Sequence, residues 1–332
     1  MSASSLNVLD FEKPIAELDE QIAEIKRLTL ESGEDRSEDI ASLEQDRDRL
    51  LEEIFSNLTP WDRTLLARHP KRPYTLDYVR LIFDDYTELH GDRLYADDHA
   101  MVGGIAVMDD QQVVFVGQQK GRDLKDRQYR NFGSAKPEGY RKALRIMKLA
   151  EKFKRPVICF IDTPAADCSV GAEERGISEA IARNMMEMST LETPVVVVVL
   201  GEGGSGGAIG IGVGDSVLML ENSIYSVIPP EGCAAILWRD PAKGAEAAEA
   251  LKITSAEALK IGVVDEVIKE PLGGAHRNVE ATARSVKAAL KKHLARFEKL
   301  PVAEMLDHRY KKFRDLGQFL EAAQERQSVS SA

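Results

Sequence analysis

Apolar residues along this chain change their spacing twice, and each change marks a different kind of structure. Near the N-terminus Ile15, Leu18, Ile22, Ile25 and Leu28 alternate steps of three and four, the seam spacing of a coiled helix. Ser32-Gly33-Glu34-Asp35 interrupts the pattern, which resumes at Ile40, Leu43, Leu50, Ile54 and Leu58. Ser37, followed by Glu38 and Asp39, is the expected N-cap of the second helix, with acids in the first turn where the helix dipole favours them. Two helices joined by so short a loop predict an antiparallel hairpin. Neither has enough apolar surface to be stable alone, so the hairpin packs on its own core or on a partner subunit.

From about Asp84 to Ile268 the grammar differs. Short β-branched runs at Val102–Val107, Val113–Gly117, Val157–Ile161, Val195–Leu200, Val217–Leu220, Ile224–Ile228 and Val263–Ile268 predict strands. Several are apolar throughout, as strands covered on both faces are. Helical spacing lies between them at Tyr140–Phe153 and Ile177–Leu191. Strands that come partly in pairs before a helix fit ββα units better than strict βαβ alternation, so the class is α/β. After Pro271 the chain is helical and charged over Val279–Phe297; Pro301 then punctuates, and a basic amphipathic tail ends in a frayed Ser328–Ala332. The expected division is a helical segment 1–83, a core 84–270 and a helical extension 271–332.

Composition narrows the functions. A chain of 332 residues with 43% hydrophobic and 30% charged residues has an ordinary soluble composition and room for one large domain with appendages. A net charge of −11 argues against nonspecific nucleic-acid binding and against an anionic membrane surface. The longest apolar run, Pro194–Leu200, is too short to cross a bilayer. Met-Ser-Ala-Ser-Ser lacks the basic and apolar regions of a signal peptide, so the expected location is cytoplasmic. Cys159, Cys168 and Cys233 have no CxxC spacing; they predict reduced thiols and neither a disulfide framework nor a zinc ribbon. The charge is uneven. Between Lys120 and Lys148 ten basic residues face three acidic ones, which leaves −18 on the rest of the chain. Lys120, Arg122, Lys125, Arg127, Arg130 and Lys136 are therefore candidate anion ligands, with a solvated charged face as the plain alternative.

The strongest local signal is Val195-Val-Val-Val-Val-Leu-Gly-Glu-Gly-Gly-Ser-Gly-Gly-Ala208. A buried strand runs into a glycine-rich turn, and a short helix can begin near Gly206. Glycines let the backbone approach a ligand closely, and amides at a helix start bind an anion or charge developing on a carbonyl oxygen. Gly201-Glu-Gly-Gly-Ser-Gly206 also matches GxGxxG, with Glu221 near the position of a ribose-binding acid. A dinucleotide-dependent oxidoreductase is thus a rival. Against it, only Gly207 to Asp215 separates the last glycine from the next strand, and Gly210, Gly212 and Gly214 each cost roughly 1 kcal/mol in a helix interior. The six histidines are scattered, no Cys/His cluster has metal spacing, and Ser205, although flanked as Gly203-x-Ser205-x-Gly207, reads as a turn residue and not as a nucleophile-elbow serine. Oxyanion donors without an evident side-chain base suit enolate chemistry in which the proton acceptor comes from elsewhere.

The segment Val195–Trp238 resembles the carboxyltransferase alpha subunit of bacterial-type acetyl-CoA carboxylase. It carries Gly-Glu-Gly-Gly-Ser-Gly-Gly-Ala, Ile-Gly-Val-Gly-Asp215 and Pro230-Glu-Gly-Cys-Ala-Ala-Ile-Leu-Trp238. Leu89-His-Gly-Asp-Arg93, Gly117-Gln-Gln-Lys-Gly-Arg122, Asn131-Phe-Gly133, Lys136-Pro-Glu-Gly-Tyr-Arg-Lys-Ala143, Gly171-Ala-Glu-Glu-Arg-Gly176 and Glu270-Pro-Leu-Gly-Gly-Ala-His-Arg277 resemble it too, over about Leu9 to Arg314. The resemblance implies a crotonase-like ββα superhelix with an N-terminal helical hairpin and C-terminal helices, working as two alpha and two beta subunits. It also implies a zinc ribbon in the beta subunit, no metal in this chain, and biotin held covalently by a separate carboxyl carrier protein, with biotin carboxylase in the larger complex. The implied reaction moves a carboxyl group from carboxybiotin to acetyl-CoA, giving malonyl-CoA for fatty-acid synthesis.

Carried onto this sequence, the backbone N–H groups of Gly206 and Gly207 are the implied oxyanion donors. Gly204, Ser205, Ala165 and Ala166 flank the implied biotin site, while Lys120, Arg122 and Arg127 are candidates for CoA phosphates or the acidic carrier. Glu231 resembles a crotonase acid by position. One stretch departs from the family. Where it has Asp-Thr-Pro-Gly-Ala-Tyr-Pro-Gly, this chain reads Asp162-Thr-Pro-Ala-Ala-Asp-Cys-Ser169. If either lost glycine needs positive φ, Ala165 or Ser169 strains the loop, and a catalytically altered scaffold subunit becomes the second rival.

Overall fold

The computed structural model describes residues 8–317. Helices α1 (Lys13–Ser32) and α2 (Ser37–Ser56) fold back on each other through Gly33, whose φ of +70° ends α1 in the left-handed conformation that glycine adopts freely. Lys26 pairs with Glu44 at 2.7 Å, and Arg47 stands 3.7 Å from Asp19, so the two helices run antiparallel. Ser37 is not the cap. Arg36 holds that position, and the Asp35 carboxylate accepts the Ser37 N–H at 3.0 Å, a stronger acceptor than a hydroxyl at a helix start. The hairpin's base is tied to the body, where Arg277 meets Asp19 at 2.5 Å and Phe11 packs edge-on against Phe55. Helices α3 (Pro60–Ala67) and α4 (Thr75–Ile82) lead into the sheet.

The sheet has eight strands: β1 (Asp85–Glu88), β2 (Met101–Met108), β3 (Gln111–Gln118), β4 (Val157–Thr163), β5 (Val195–Gly204), β6 (Ser216–Leu220), β7 (Ile224–Ser226) and β8 (Glu266–Ile268). Their order is β1-β2-β3-β4-β5-β6-β8, with β7 paired to the far end of β5. The first three strands are antiparallel, and every later pairing is parallel. Asp109 and Asp110, both at positive φ, make the two-residue turn between β2 and β3, as the right-handed strand twist demands.

Between the strands come α5 (Leu124–Tyr129), α6 (Pro137–Phe153), α7 (Val170–Glu174), α8 (Ile177–Ser189) and α9 (Ser205–Ile209). Then follow α10 (Pro230–Trp238), α11 (Gly244–Leu251), α12 (Ser255–Lys260), α13 (Val279–Phe297) and α14 (Val302–Arg314). The alternation of β5 shows how the core is laid out. Val195, Val197 and Val199 join Tyr140, Ile146 and Met188 of α6 and α8 in one apolar layer. Val196, Val198 and Leu200 join Tyr78 and Val79 of α4 and Val286 and Leu290 of α13 in the other. A sheet with helices on both faces buries its strands completely, which is why they read as unbroken apolar runs. Helices α4 and α13, from the two flanking segments, thus share the sheet's second layer.

Two strand expectations are corrected at their ends. The strand expected to reach Ile228 stops at Ser226, whose hydroxyl donates to the Ile228 carbonyl at 2.7 Å. The last strand starts at Glu266, because Gly262 at φ +77° leads a turn in which Val263 and Val264 bond back to Ala258. Ser328–Ala332 lie outside the described residues. Among the described residues no helix is long and apolar enough to cross a membrane.

Candidate active site

Strand β5 is ten residues long, and Gly201, Glu202 and Gly203 still lie within it. The turn begins only at Gly204, and Ser205 takes a left-handed φ of +51° as α9 starts. A non-glycine residue held there is mildly strained, a feature that gathers at working sites. The turn has no room for side chains on its inner face. A Cβ on Gly204 would lie 1.9 Å from the Pro164 carbonyl oxygen, and one on Gly207 would lie 2.6 Å from the carbonyl carbon of Ala165. The 164–166 loop beyond β4 therefore lies directly against the Gly204–Gly207 turn, which brings Ala165 and Ala166 beside Gly207.

The first-turn amides of α9 have no acceptor within the helix, and no side chain caps it. Its carbonyls, by contrast, are held by buried polar side chains. The Gly207 carbonyl accepts from Gln118 Nε2 at 3.0 Å and from the Tyr140 hydroxyl at 3.2 Å, and the Gly210 carbonyl accepts from Asn184 Nδ2 at 3.0 Å. Gln118 Oε1 also accepts the Asp162 N–H at 3.1 Å, joining β3 to the end of β4. Gln118, Tyr140 and Asn184 were missed in the sequence. The available signal was a polar residue closing an apolar strand (Gln118) or set within a buried helix face. In front of the turn opens a cleft of about 550 Å³, lined by Ser205, Gly206, Ile209, Tyr225, Val227 and Phe313 among others. Gly206 borders it, and Gly207 sits deeper, beneath Ala165 and Ala166.

The basic stretch does not form one anion-binding island. Lys120 turns inward and pairs with Asp162 at 2.8 Å and Glu202 at 2.7 Å. Burial opposes its charge, but the two carboxylates outweigh burial and hold its pKa above the usual range. Its ammonium is thus occupied by carboxylates and has no charge to spare for a phosphate. Arg122 pairs with Asp77 and donates to the carbonyls of Pro70 and Arg72 at 3.0 and 2.9 Å. Arg130 pairs with Asp126, Arg141 with Asp92 and Lys142 with Asp97. Lys125, Arg127 and Lys136 have no carboxylate partner among the described residues, and Arg127 spends only its Nε on the Gly121 carbonyl. Glu231 is likewise engaged, by Arg68 at 2.5 Å.

Two histidine constellations invite catalytic readings and fail them. His293 Nδ1 lies 2.7 Å from Ser216 Oγ and Nε2 lies 2.9 Å from Glu266, the order of a serine triad. Ser216 is wholly buried, however, so its hydroxyl is closed off from solvent. Glu12, His69 and His276 bring three metal-ligating side chains together. His69 Nδ1 accepts the Lys71 N–H at 3.2 Å, so its proton sits on Nε2 facing Glu12, while His276 Nε2 lies 2.9 Å from the same carboxylate. With the His69 lone pair already used, the trio reads as a clasp between the N-terminal segment and the body, in which Glu12 is hydrogen-bonded to His276 and stands 3.9 Å from His69.

The dinucleotide reading fails on geometry. Four of its six motif residues are strand, α9 has five residues where a crossover helix needs several turns, and Glu221 is taken by Lys269 at 2.6 Å. The altered loop is not strained. Among the described residues neither Ala165 nor Ser169 is at positive φ. Ser169 instead caps α7 by accepting the Ala172 N–H, and Asp167 accepts the Ser169 N–H at 3.0 Å. The substitutions exchange glycine freedom for side-chain capping.

Solved structures with the same architecture include the transcarboxylase 12S hexamer with methylmalonyl-coenzyme A and methylmalonic acid bound. It matches 66% of this chain and 41% of its own, with TM-score 0.53 and 22% identity. A Pseudomonas malonate decarboxylase hetero-dimer matches 65% of this chain and 89% of its own, with TM-score 0.51 and 15% identity. The sheet order and the glycine turn at the end of the central strand place the chain in the crotonase-like class. The acetyl co-enzyme A carboxylase carboxyltransferase-like family model matches residues 8–317. Acetyl-coenzyme A carboxylase carboxyl transferase subunit alpha of Geobacter metallireducens is 54% identical over 94% of this chain and 98% of its own, and that of Methylococcus capsulatus is 51% identical over 96% and 99%. The chain belongs to this family of carboxyltransferase alpha subunits and is a transferase subunit, a name that implies a partner subunit.

Proposed function

We propose that this chain is the alpha half of a biotin-dependent carboxyltransferase that converts acetyl-CoA to malonyl-CoA in the cytoplasm, assembled with a beta subunit as two alpha and two beta chains. The observation that carries the reading is the glycine-rich turn Gly204–Gly207, opening onto an apolar cleft at the uncapped start of α9. The apolar cleft wall suits a fused ring, and the amides suit its ureido oxygen. Carboxybiotin, delivered by a separate carrier protein, supplies the carboxyl group, and the biotin left behind accepts the proton from the acetyl methyl carbon. The chain's own part is to hold the Gly206 and Gly207 N–H groups where negative charge grows. Preorganised donors of this kind are each worth roughly 3–4 kcal/mol in activation free energy.

No side-chain base need stand in this subunit, which accords with triad-like groups that are buried and carboxylates that are paired. Val227, Ile236 and Leu237 are 78, 72 and 63% exposed on and beside α10, an apolar surface of the kind that partner subunits cover. We assign the core 84–270 to catalysis and the segments 1–83 and 271–332 to packing and assembly, with zinc and the main acetyl-CoA contacts in the beta subunit. Of Lys120, Arg122 and Arg127, Arg127 keeps its candidacy for a CoA phosphate or for the acidic carrier, beside Lys125 and Lys136, which also have no carboxylate partner among the described residues; biotin carboxylase recharges that carrier. The test is malonyl-CoA formation by the purified chain with its beta subunit, carboxylated carrier and acetyl-CoA. No product from a correctly assembled complex would refute the proposal.

A further inference from the structure

Five ionisable side chains line up behind the glycine turn. Glu231 of α10 holds Arg68, and Arg68 Nε holds Glu202 Oε1 at 2.6 Å. Glu202 Oε2 holds Lys120 at 2.7 Å, and Lys120 holds Asp162 Oδ1 at 2.8 Å. That same Asp162 oxygen accepts the Glu202 N–H at 3.0 Å. Lys120 is 11% exposed, and the two carboxylates beneath it are 1 and 9% exposed. Position in the chain gives the network its meaning. Asp162 is the last residue but one of β4, just before the Pro164–Ala166 loop, and Glu202 lies two residues before the Gly204–Gly207 turn. These two segments touch across Pro164–Gly204 and Ala165–Gly207. One ammonium therefore pins the roots of both walls of the candidate site.

We infer that Lys120 is a positioning residue, which sets the spacing between the 164–166 loop and the α9 amides by clamping Asp162 to Glu202. The inference rests on the carboxyl-transfer reading for its effect on rate. Removal of the clamp leaves Glu202 held by Arg68 alone and Asp162 without its cation, so no side-chain pair ties the two walls together. A displacement of about 1 Å at a reacting centre can lower a rate on the order of a hundredfold. A phosphate-binding lysine would behave differently, because its loss weakens substrate binding and leaves the chemical step intact.

The decisive variants are Lys120→Met and Lys120→Arg, each assembled with the beta subunit. Turnover is followed as malonyl-CoA formed, and hydrogen exchange is followed in peptides spanning residues 160–170 and 200–210. Lys120→Met is expected to lower kcat on the order of a hundredfold, to leave the acetyl-CoA KM within about threefold, and to speed exchange in both peptides. Lys120→Arg, which keeps the charge, is expected to recover most of both. A raised KM with unchanged kcat, or unchanged exchange in the two peptides, overturns the inference. If Lys120→Met does not fold, the Lys120→Met/Glu202→Gln pair removes one of the facing charges and is judged by the same two readouts. Absence of product from the unaltered complex refutes the transfer reading alone, and the exchange measurement still decides the clamp.

Discussion

A Cβ built on Gly207 would stand 2.6 Å from the carbonyl carbon of Ala165, whereas one built on Gly206 meets nothing nearer than the Ile181 methyl at 3.4 Å. The two adjacent glycines therefore differ in what they tolerate. Gly206→Ala keeps its amide and fits the space, so it should retain transfer within about tenfold. Gly207→Val must push the Ala165–Ala166 backbone away and so moves both the loop and the amide. Loss of a positioned oxyanion donor costs about 10²–10³ in turnover, and transfer should fall at least that far while the complex still assembles. Malonyl-CoA formation beside gel filtration checks this. Near-normal turnover in Gly207→Val would remove both glycines from the mechanism.

What the sequence reveals depends on how local each feature's cause is. Helix α13 was legible end to end, because its apolar spacing is unbroken from Val279 to Phe297. Strand β5 was legible because burial on both faces leaves it apolar on both. Strand β1, Asp-Tyr-Thr-Glu at the sheet edge, has no apolar run to betray it. Helix α10 lacks a polar face, and so shows no helical period. The fate of Lys120 was illegible for another reason. The carboxylates that capture it lie on β4 and β5, and a run of like charges shows nothing of partners brought in by the fold. The glycine turn was located correctly, but its beginning was misplaced, since Gly201 and Gly203 are strand residues whose missing side chains make room for Asp162 and Tyr225.

Arg309 of α14 is 1% exposed, and five hydrogen bonds match its five N–H donors. They run to Asp215 Oδ1 and Oδ2 at 2.9 and 2.7 Å and to the carbonyls of Met188, Leu191 and Thr193. The C-terminal helix is therefore anchored to the start of β5 and β6. Breaking such a buried pair on one side costs about 3–5 kcal/mol. Arg309→Met should lose that much in urea unfolding, and Arg309→Lys should lose nearly as much because an ammonium cannot match the planar fork. A loss below about 1 kcal/mol would show that α14 contributes little to the fold.

Burial pushes the Asp98 carboxyl from the ordinary 3.8 up to about 6, against the N–H groups of Ala100 and Lys136 and the charge of Lys142, which favour ionisation. A carboxyl with a raised folded-state pKa holds more protons folded than unfolded between those two values, so stability falls as pH rises through that window. The contribution is fully present below about pH 4 and lost above about pH 6. A rise of this size corresponds to roughly 3 kcal/mol. Carbon NMR of the Asp98 carboxyl should titrate near pH 6, and the pH slope of unfolding free energy between pH 4 and 6 should flatten in Asp98→Asn. A midpoint below pH 4 would contradict both.

Arg122 and Arg127 lie five residues apart with opposite expectations. Arg122 is partly exposed, but its guanidinium is engaged by Asp77 and by the carbonyls of Pro70 and Arg72, and lies 4.2 Å from the Tyr74 ring centroid. Its removal should lower the unfolding temperature and leave both Michaelis constants alone. Arg127 is half-buried and keeps its two terminal nitrogens without a partner among the described residues, which is the state of a side chain able to receive an anion. A charge-assisted contact worth about 1.4 kcal/mol is a factor of about ten in binding. Arg127→Glu should therefore raise the KM for acetyl-CoA or for the carrier about tenfold or more, with kcat nearly unchanged. The measurement is a pair of saturation curves, one per substrate, on complexes whose melting temperature matches the unaltered protein. If neither constant moves, the remaining basic residues are only a solvated face and the anion must be held by the partner subunit.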